Sequence, residues 1–445
     1  MRNEGVCLEF FGRHHLRKQP AQPVVVKVLV ARVVVLAAIL VLTSSCSGSH
    51  LVEDVGVDAP LDAGPVDADG SDSTHPNDTG LPSVCSDGAC EIDQVVAGGA
   101  HSCARFASGR VVCWGSNLHH ELGREGIEYS VTPIAIDGLP QIAHLMRGHQ
   151  HVCGLSVEGE LWCWGDGNEP LLQRSSTPTR DWLADLDGVI EVQIGTAHAC
   201  ALLDAGEIRC WGFRNEGQLG DGTREISLEP VAALGLDNVV QLSVGAFFNC
   251  ARTDAGRLAC WGDNSRGQIG DGTGGETSLE ADRPAPVFVL DEVQRTSLGG
   301  LFACALTTSR EVQCWGANER GQLGVGSREL YMASPTPVLL PSSLDLVDVE
   351  AGTAHACALA RAGHLFCWGD NSSGSLGIGS SSGQVHEPVE VRGIGEVTGI
   401  ALGYLHTCAI RAGREVWCWG NNDEGQLGDG TLEDRDVPVR ALGFE

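Results

Sequence analysis

No lysine follows Lys27 in a chain of 445 residues. The stretch after Cys46 sets 23 Arg against 56 Asp and Glu, a net charge of −33. Such a chain lacks the basic footprint that a phosphate backbone requires, which excludes nucleic-acid binding as its main activity. A phosphate-cradling loop is excluded on similar grounds, because no Gly-Lys-Ser/Thr occurs. Cys-x-x-Cys is also missing, which removes the thioredoxin-like redox motif. A membrane-spanning helix needs about 20 consecutive apolar residues. The run Val33 to Leu42 has ten.

That run has another use. It follows Lys27 and Arg32 and leads through Leu-Thr-Ser-Ser to Cys46, the order of a secretory signal. The last four residues resemble a bacterial lipobox with Cys46 as the lipidated residue, although Thr43 stands where Leu is usual. Residues 1–45 are therefore expected to be a signal peptide, with plain secretion or an unprocessed anchor as the alternatives. The segment before Val24 is long for a signal, which places the expected true start at a valine within 24–30. Residues 46–92 are rich in Asp, Ala, Pro and Gly, and after Cys46 they hold no Lys or Arg. A segment so poor in apolar side chains cannot bury a core, so it reads as a disordered tether below the domain. Its aspartates lack the regular spacing and closing bidentate acid of a calcium loop.

From there the chain repeats. Cys-Trp-Gly begins at Cys113, Cys163, Cys210, Cys260, Cys314, Cys367 and Cys418, and each is preceded ten positions earlier by another cysteine. Those partners are Cys103, Cys153, Cys200, Cys250, Cys304, Cys357 and Cys408. Each unit of about 50 residues has short alternating or apolar runs, Gly-dense turns and a Pro-containing run, with no helical period. About four short strands per unit make one propeller blade, so residues 93–445 should form an all-β, seven-bladed propeller.

The pattern Gly195-x-x-His-x-Cys-Ala-Leu, then Cys-Trp-Gly, then Gly217-Gln-Leu-Gly-Asp-Gly-Thr223 resembles the regulator of chromosome condensation repeat family. The resemblance covers essentially everything after the tether and implies a seven-bladed propeller. The added cysteine pairs resemble the secreted bacterial branch. Members of the family bind small GTPases or histones, and one secreted bacterial member inhibits a β-lactamase. The general mode, protein binding, is what the resemblance implies here. Repeat 2 departs from the pattern by losing Gly-Gln-Leu-Gly, and repeats 4 and 5 carry longer segments.

The recurring cysteines, histidines and tryptophans each invite a chemical reading. For Cys200 and Cys210, a three-residue Asp204-Ala-Gly206 loop closes the hairpin as a type I turn with a bulge, and counting outward sets the two cysteines opposite one another. Directly opposed residues lie within disulfide range. Zinc sites space paired cysteines by two to four residues, not nine. Seven hairpin disulfides are expected, with Cys85–Cys90 as an eighth. His101, His151, His198, His355 and His406 precede the first cysteines, but Phe248 and Phe302 take the same place in repeats 4 and 5. A packed ring tolerates that exchange and a metal ligand does not. His149 and His151, read as lying on one strand face with His119, His120 and His144 nearby, keep a metal site in repeats 1 and 2 as the alternative. The Cys-Trp-Gly tryptophans read as core aromatics. The turn over 263–271 has Gly267 where a calcium ligand would stand.

No nucleophile–base pair stands outside the repeats, and no cofactor or catalytic residue is expected. Function should lie in what does not recur, on the face loops. The expected role is an exported, lipid-tethered module of the cell envelope that acts as a monomer. It touches membrane only through its anchor and binds an unknown protein partner. Candidate contact residues are Trp182, Phe213, Arg214, Arg266, Arg320, Tyr331, Met332 and Tyr404, types that favour interface hot spots. The alternatives are a structural envelope protein without a discrete partner, and a hydrolase or lyase with acid and base groups converging in the central channel. The terminal strand near 437–443 is expected to complete a sheet with strands near the start of the domain.

Overall fold

The computed structural model describes residues 91–166, 175–180, 186–213, 215–275 and 283–444. Cys46, Cys85, Cys90, Trp182 and Arg214 lie outside them. Every described sheet is a four-stranded antiparallel meander, and there are seven. Repeat 1 supplies Ile92–Ala97, His101–Phe106, Val111–Ser116 and Tyr129–Ala135; repeat 7 supplies Val397–Leu402, His406–Arg411, Glu415–Gly420 and Arg435–Arg440. First strands of neighbouring repeats touch each other, so they form the inner wall of the ring. The expected seven-bladed propeller is the fold.

Burial follows from that arrangement. Each sheet packs both faces against neighbours, so the middle strands are buried almost throughout, as in His151–Ser156 and Val111–Ser116. Outer strands such as Ser227–Ala232 are half-buried or exposed. No single core exists. Seven apolar clusters fill the seven seams, each built from two adjacent blades. This is the nearest-neighbour construction of a repeat protein, closed into a ring.

The recurring residues have constructional work. Cys200 pairs directly with Cys210, and the same register recurs in the other six blades. The opposed cysteines are joined as disulfides with Cα atoms 4.0–4.1 Å apart. The Asn in the turn after Cys-Trp-Gly closes that turn on itself. Asn264 Oδ1 accepts from Ile269 N, and its Nδ2 donates to Thr273 O. Asn318, Asn371 and Asn422 repeat the arrangement.

Six of the seven blades then reach into the one before. Trp261 Nε1 donates to Gln218 O, Trp315 to Gln268 O, Trp368 to Gln322 O and Trp419 to Ser375 O. Trp164 donates to Glu121 O, and Trp114 closes the ring by donating to Gln426 O. The glycine just after each first strand is required by the ring three residues later: a Cβ on Gly352 would stand 2.7 Å from His355 Cε1.

Closure differs from the sequence expectation. Arg435–Arg440 is the fourth strand of its own blade, and Ile92–Ala97 pairs only with His101–Phe106 among the described strands. Each blade takes all four of its strands from one contiguous repeat, so no strand is left to exchange. The ends meet side by side instead. Ile92 N donates to Gly413 O and Gly430 N to Val131 O, while Phe444 packs on Phe106 and Trp114 with ring centroids 6.0 and 5.8 Å apart.

Candidate functional site

Antiparallel meanders place the turns between strands 1 and 2 and between strands 3 and 4 at one face of the ring. The hairpins between strands 2 and 3 lie at the other. The two faces differ in kind. The hairpin face is built of tight reversals, whereas the first face carries the long Gly-rich turns and surrounds the channel mouth.

Around that mouth the 1–2 turns are stitched together by backbone bonds. Gly99 N donates to His149 O, Thr196 N to Ala246 O, Ala246 N to Gly300 O, Gly300 N to Thr353 O, Thr353 N to Gly403 O and Tyr404 N to Gly98 O. Six junctions between blades thus share one collar. The stitched register carries Gly99, His149, Thr196, Ala246, Gly300, Thr353 and Tyr404, and the next position carries Phe247, Leu301 and Leu405, all half-buried. His149 and Tyr404 meet edge-on, 6.0 Å apart, across the bare Gly99 between them.

Outside this collar the 3–4 turns make a polar rim. Arg266 Nε pairs with Glu319 of the next blade at 3.0 Å, and Arg320 with Asp370 at 3.7 Å. His119 lies 3.4 Å from Asp166 and 2.9 Å from Gln150 Nε2. Burial and the Asp370 charge raise the Tyr404 phenol above its usual value. The mouth thus sets half-buried Phe247, Leu301, Tyr404 and Leu405 inside a rim that carries paired charges.

Below the collar, Arg147 ends the first strand of blade 2 and crosses the channel. Its Nη2 donates to Ala351 O of blade 6 at 3.3 Å. Glu350 beside it accepts from Ser297 Oγ at 2.8 Å, and that oxygen accepts from Ala351 N. Burial, reinforced by Asp348, pushes the Glu350 carboxyl up to about 7. Asp348 itself pairs with Arg295 at 3.1 Å. These groups clamp blades 5 and 6 together. The Ser297 hydroxyl is held between Glu350, to which it donates, and the Ala351 amide, from which it accepts.

The histidines follow a packing rule. His198 Nε2 donates to Asn249 Oδ1, His355 Nε2 to Thr407 Oγ1 and His406 Nε2 to Ser102 Oγ, each in the following blade. Those partners donate in turn to the carbonyls that receive the tryptophans: Gln218, Ser375 and Gln426. Where the next blade offers Ala303 or Ala356, the ring is Phe248 or Phe302, as packing dictates. In blades 1 and 2 the next blade offers Val152 and Ala199, and His101 keeps both nitrogens, and His151 its Nε2, without partners among the described residues. Burial, first among several causes, lowers the imidazoles of His101, His355 and His406 to about 3 and those of His151 and His198 to about 4. They remain neutral at ordinary pH.

The expectation that His149 shares a strand face with His151 is corrected. His149 sits in the bend before the strand His151–Ser156, because the collar bonds hold it in a turn. Among the described residues no group of three or more His, Cys, Asp or Glu is placed to hold a metal ion. Of the candidate contact residues, Arg266, Arg320 and Tyr404 stand on the mouth face. Phe213 opens a 3–4 turn there, its N bonded to Ala197 O. Tyr331 and Met332 begin the outer strand of blade 5, both half-buried, and Met332 packs against the core cluster. Arg147, Glu350, Phe247 and Leu301 were not singled out by sequence, and His149 only as an alternative metal ligand. Their signal is a break in register: only blade 2 has Arg where the others have Ala, Ile, Val or Leu.

Comparison with known proteins fits this architecture. The profile described as RCC1-like domain matches residues 171–445, and the Regulator of chromosome condensation (RCC1) repeat matches residues 92–121. Ultraviolet-B receptor UVR8 of Arabidopsis thaliana is 31% identical over 168 residues, 37% of this chain and 38% of that protein. The human E3 ubiquitin-protein ligase HERC2 is 36% identical over 137 residues, 30% of this chain and 3% of that protein. The chain thus spans well under half of these relatives' lengths. Human WBSCR16 superposes with a TM-score of 0.67 at 22% identity, covering 75% of this chain and 94% of that one. Yeast RCC1 (Prp20), solved bound to Kap60, gives 0.67 at 22% identity, covering 85% and 91%. With the profile covering more than half of its length, this chain belongs to the RCC1-like domain family.

Proposed function

We propose that the chain is an exported protein-binding module, tethered through Cys46, that engages its partner on the face carrying the 1–2 and 3–4 turns. The observation that carries this is the mouth itself: half-buried Phe247, Leu301, Leu405 and Tyr404, with exposed His149 beside them, form a non-repeating collar inside a charged rim. The point of entry agrees with it. Ile92 begins at the hairpin face, bonded to the Gly413 hairpin, so the propeller is entered on the side opposite the mouth. A yeast propeller of this fold has been solved with Kap60 bound, which makes partner recognition a natural use of the scaffold. No catalytic activity is assigned: the channel acids and Ser297 are engaged in holding blades together.

Affinity capture from envelope fractions tests the reading. The wild-type chain should retain a stoichiometric partner that the Leu301→Glu, Leu405→Glu double variant loses while melting normally. If neither chain retains one under several growth conditions, the structural envelope role takes its place.

A further inference from the structure

Arg147 is the one charged residue at its register, among Ala97, Ile194, Val244, Leu298, Ala351 and Leu402. In so acidic a chain most arginines are matched: Arg283, Arg295, Arg361 and Arg435 each hold a carboxylate at 2.6–3.1 Å. Arg147 has no carboxylate partner among the described residues. Its one hydrogen bond, 3.3 Å to the Ala351 carbonyl, is long and uses a single donor of a five-donor fork. It lies two residues before the collar residue His149, below the mouth, and reaches across the channel to blade 6.

We propose that Arg147 is the anchor for a carboxylate, presented by an acidic side chain of the protein partner and inserted through the collar. The guanidinium exchanges its weak carbonyl bond for a two-pronged, charge-assisted pair, the geometry it suits best. The apolar collar around it removes water and strengthens the pair. This rests on the reading of the mouth face as the binding surface.

The groups facing Arg147 set a pH dependence. His101, His355 and His406 feel its charge and stay neutral, because burial holds them near 3. Asp348 is engaged by Arg295, and His149 stands above in the collar. Glu350 is the competing acid. Its carboxyl titrates at about 7, so below that pH it is neutral and the guanidinium is uncompensated. Above it, the Glu350 anion opposes an incoming carboxylate. Affinity should fall as pH rises through 7.

Calorimetric titration of acetate and phenylacetate into the full, oxidised chain provides the test. Saturable binding is expected at pH 6, tighter for phenylacetate because its ring meets the collar, and weaker at pH 8. Arg147→Gln should lower affinity about tenfold or more, as loss of a charged hydrogen-bond pair does. Arg147→Lys should fall between, and the exposed Arg328→Gln should match wild type. Absent saturation, or equal binding by Arg147→Gln, overturns the proposal. If Arg147→Gln melts early, Arg147→Lys decides by the same criterion. A captured partner that binds Arg147→Gln as well as wild type, yet is lost with Leu405→Glu, sinks the carboxylate anchor and spares the face. Carboxylate binding without any face-dependent partner does the reverse.

Discussion

The seam between blades 7 and 1 and the seam between blades 2 and 3 are built from the same template, and they differ. At the first, Trp114 and Ser102 both donate to Gln426 O, His406 donates to Ser102, and Phe444 caps the cluster. At the second, Trp211 Nε1 is buried without a hydrogen-bond partner among the described residues, and so is His151 Nε2. Repeat 2 has lost the Gly-Gln-Leu-Gly that would supply the carbonyl, and Ala199 offers His151 nothing. Connectivity explains which seam tolerates decay. Blades 2 and 3 are consecutive, so a short loop keeps them together at high effective concentration. Blades 7 and 1 are joined only by contacts, and every bond there resists ring opening.

The largest test of this comparison is Phe444→Ala, which removes the cap from the closing seam. Burial of that size predicts a loss of about 3–5 kcal/mol in equilibrium denaturation of the oxidised chain. A loss below about 1 kcal/mol would mean closure does not depend on it.

Acid should discriminate among seams next. A buried imidazole with a lowered folded pKa contributes stability that is present above its unfolded value of 6.5 and lost as pH falls toward 4 and 3. Each costs about 1.4 kcal/mol per pH unit in that window. Glu350 has the opposite sign, its contribution full below 4.5 and lost as pH rises through about 7. Hydrogen exchange at pH 5 against pH 7.5 should therefore show faster opening beside the five histidines. The seams holding Phe248 and Phe302 should change least; uniform acceleration would refute the assignment.

His406→Phe strips the closing seam of a donor and leaves Ser102 short of one bond, at a cost of about 1–3 kcal/mol. His151→Phe, placing beside Ala199 the ring that blades 4 and 5 use beside alanine, should be neutral or stabilising. Chemical melts compare the pair directly, and equal losses would end the packing rule. The smallest effect is a difference: Trp114→Phe should cost about 1 kcal/mol more than Trp211→Phe, because only the first breaks a hydrogen bond.

The sequence carried the repeat count, the blade and the cysteine register, because each rests on spacing, and strand register has a period of two. Ring closure was read wrongly, since which strand belongs to which sheet depends on where a repeat is cut. Placing His149 on a strand failed because the collar bonds that bend it come from a neighbouring blade. Arg147 and Glu350 escaped notice for a related reason: blades 2 and 6 are far apart in the chain and face each other only across the channel. Of the candidate contact residues, Arg266, Arg320 and Tyr404 were legible as turn residues on one face, whereas the packing of Met332 against its core cluster was not.

The tryptophan-to-carbonyl joint has a further consequence. Because the closing seam uses the same joint as the internal ones, no blade is privileged as first or last. Ile92 and Phe444 lie in one apolar cluster, so a short linker between them would leave every joint intact. A circular permutant with its new ends in the Asp254–Gly256 hairpin should close into the same ring, its order of blades changed and its geometry not.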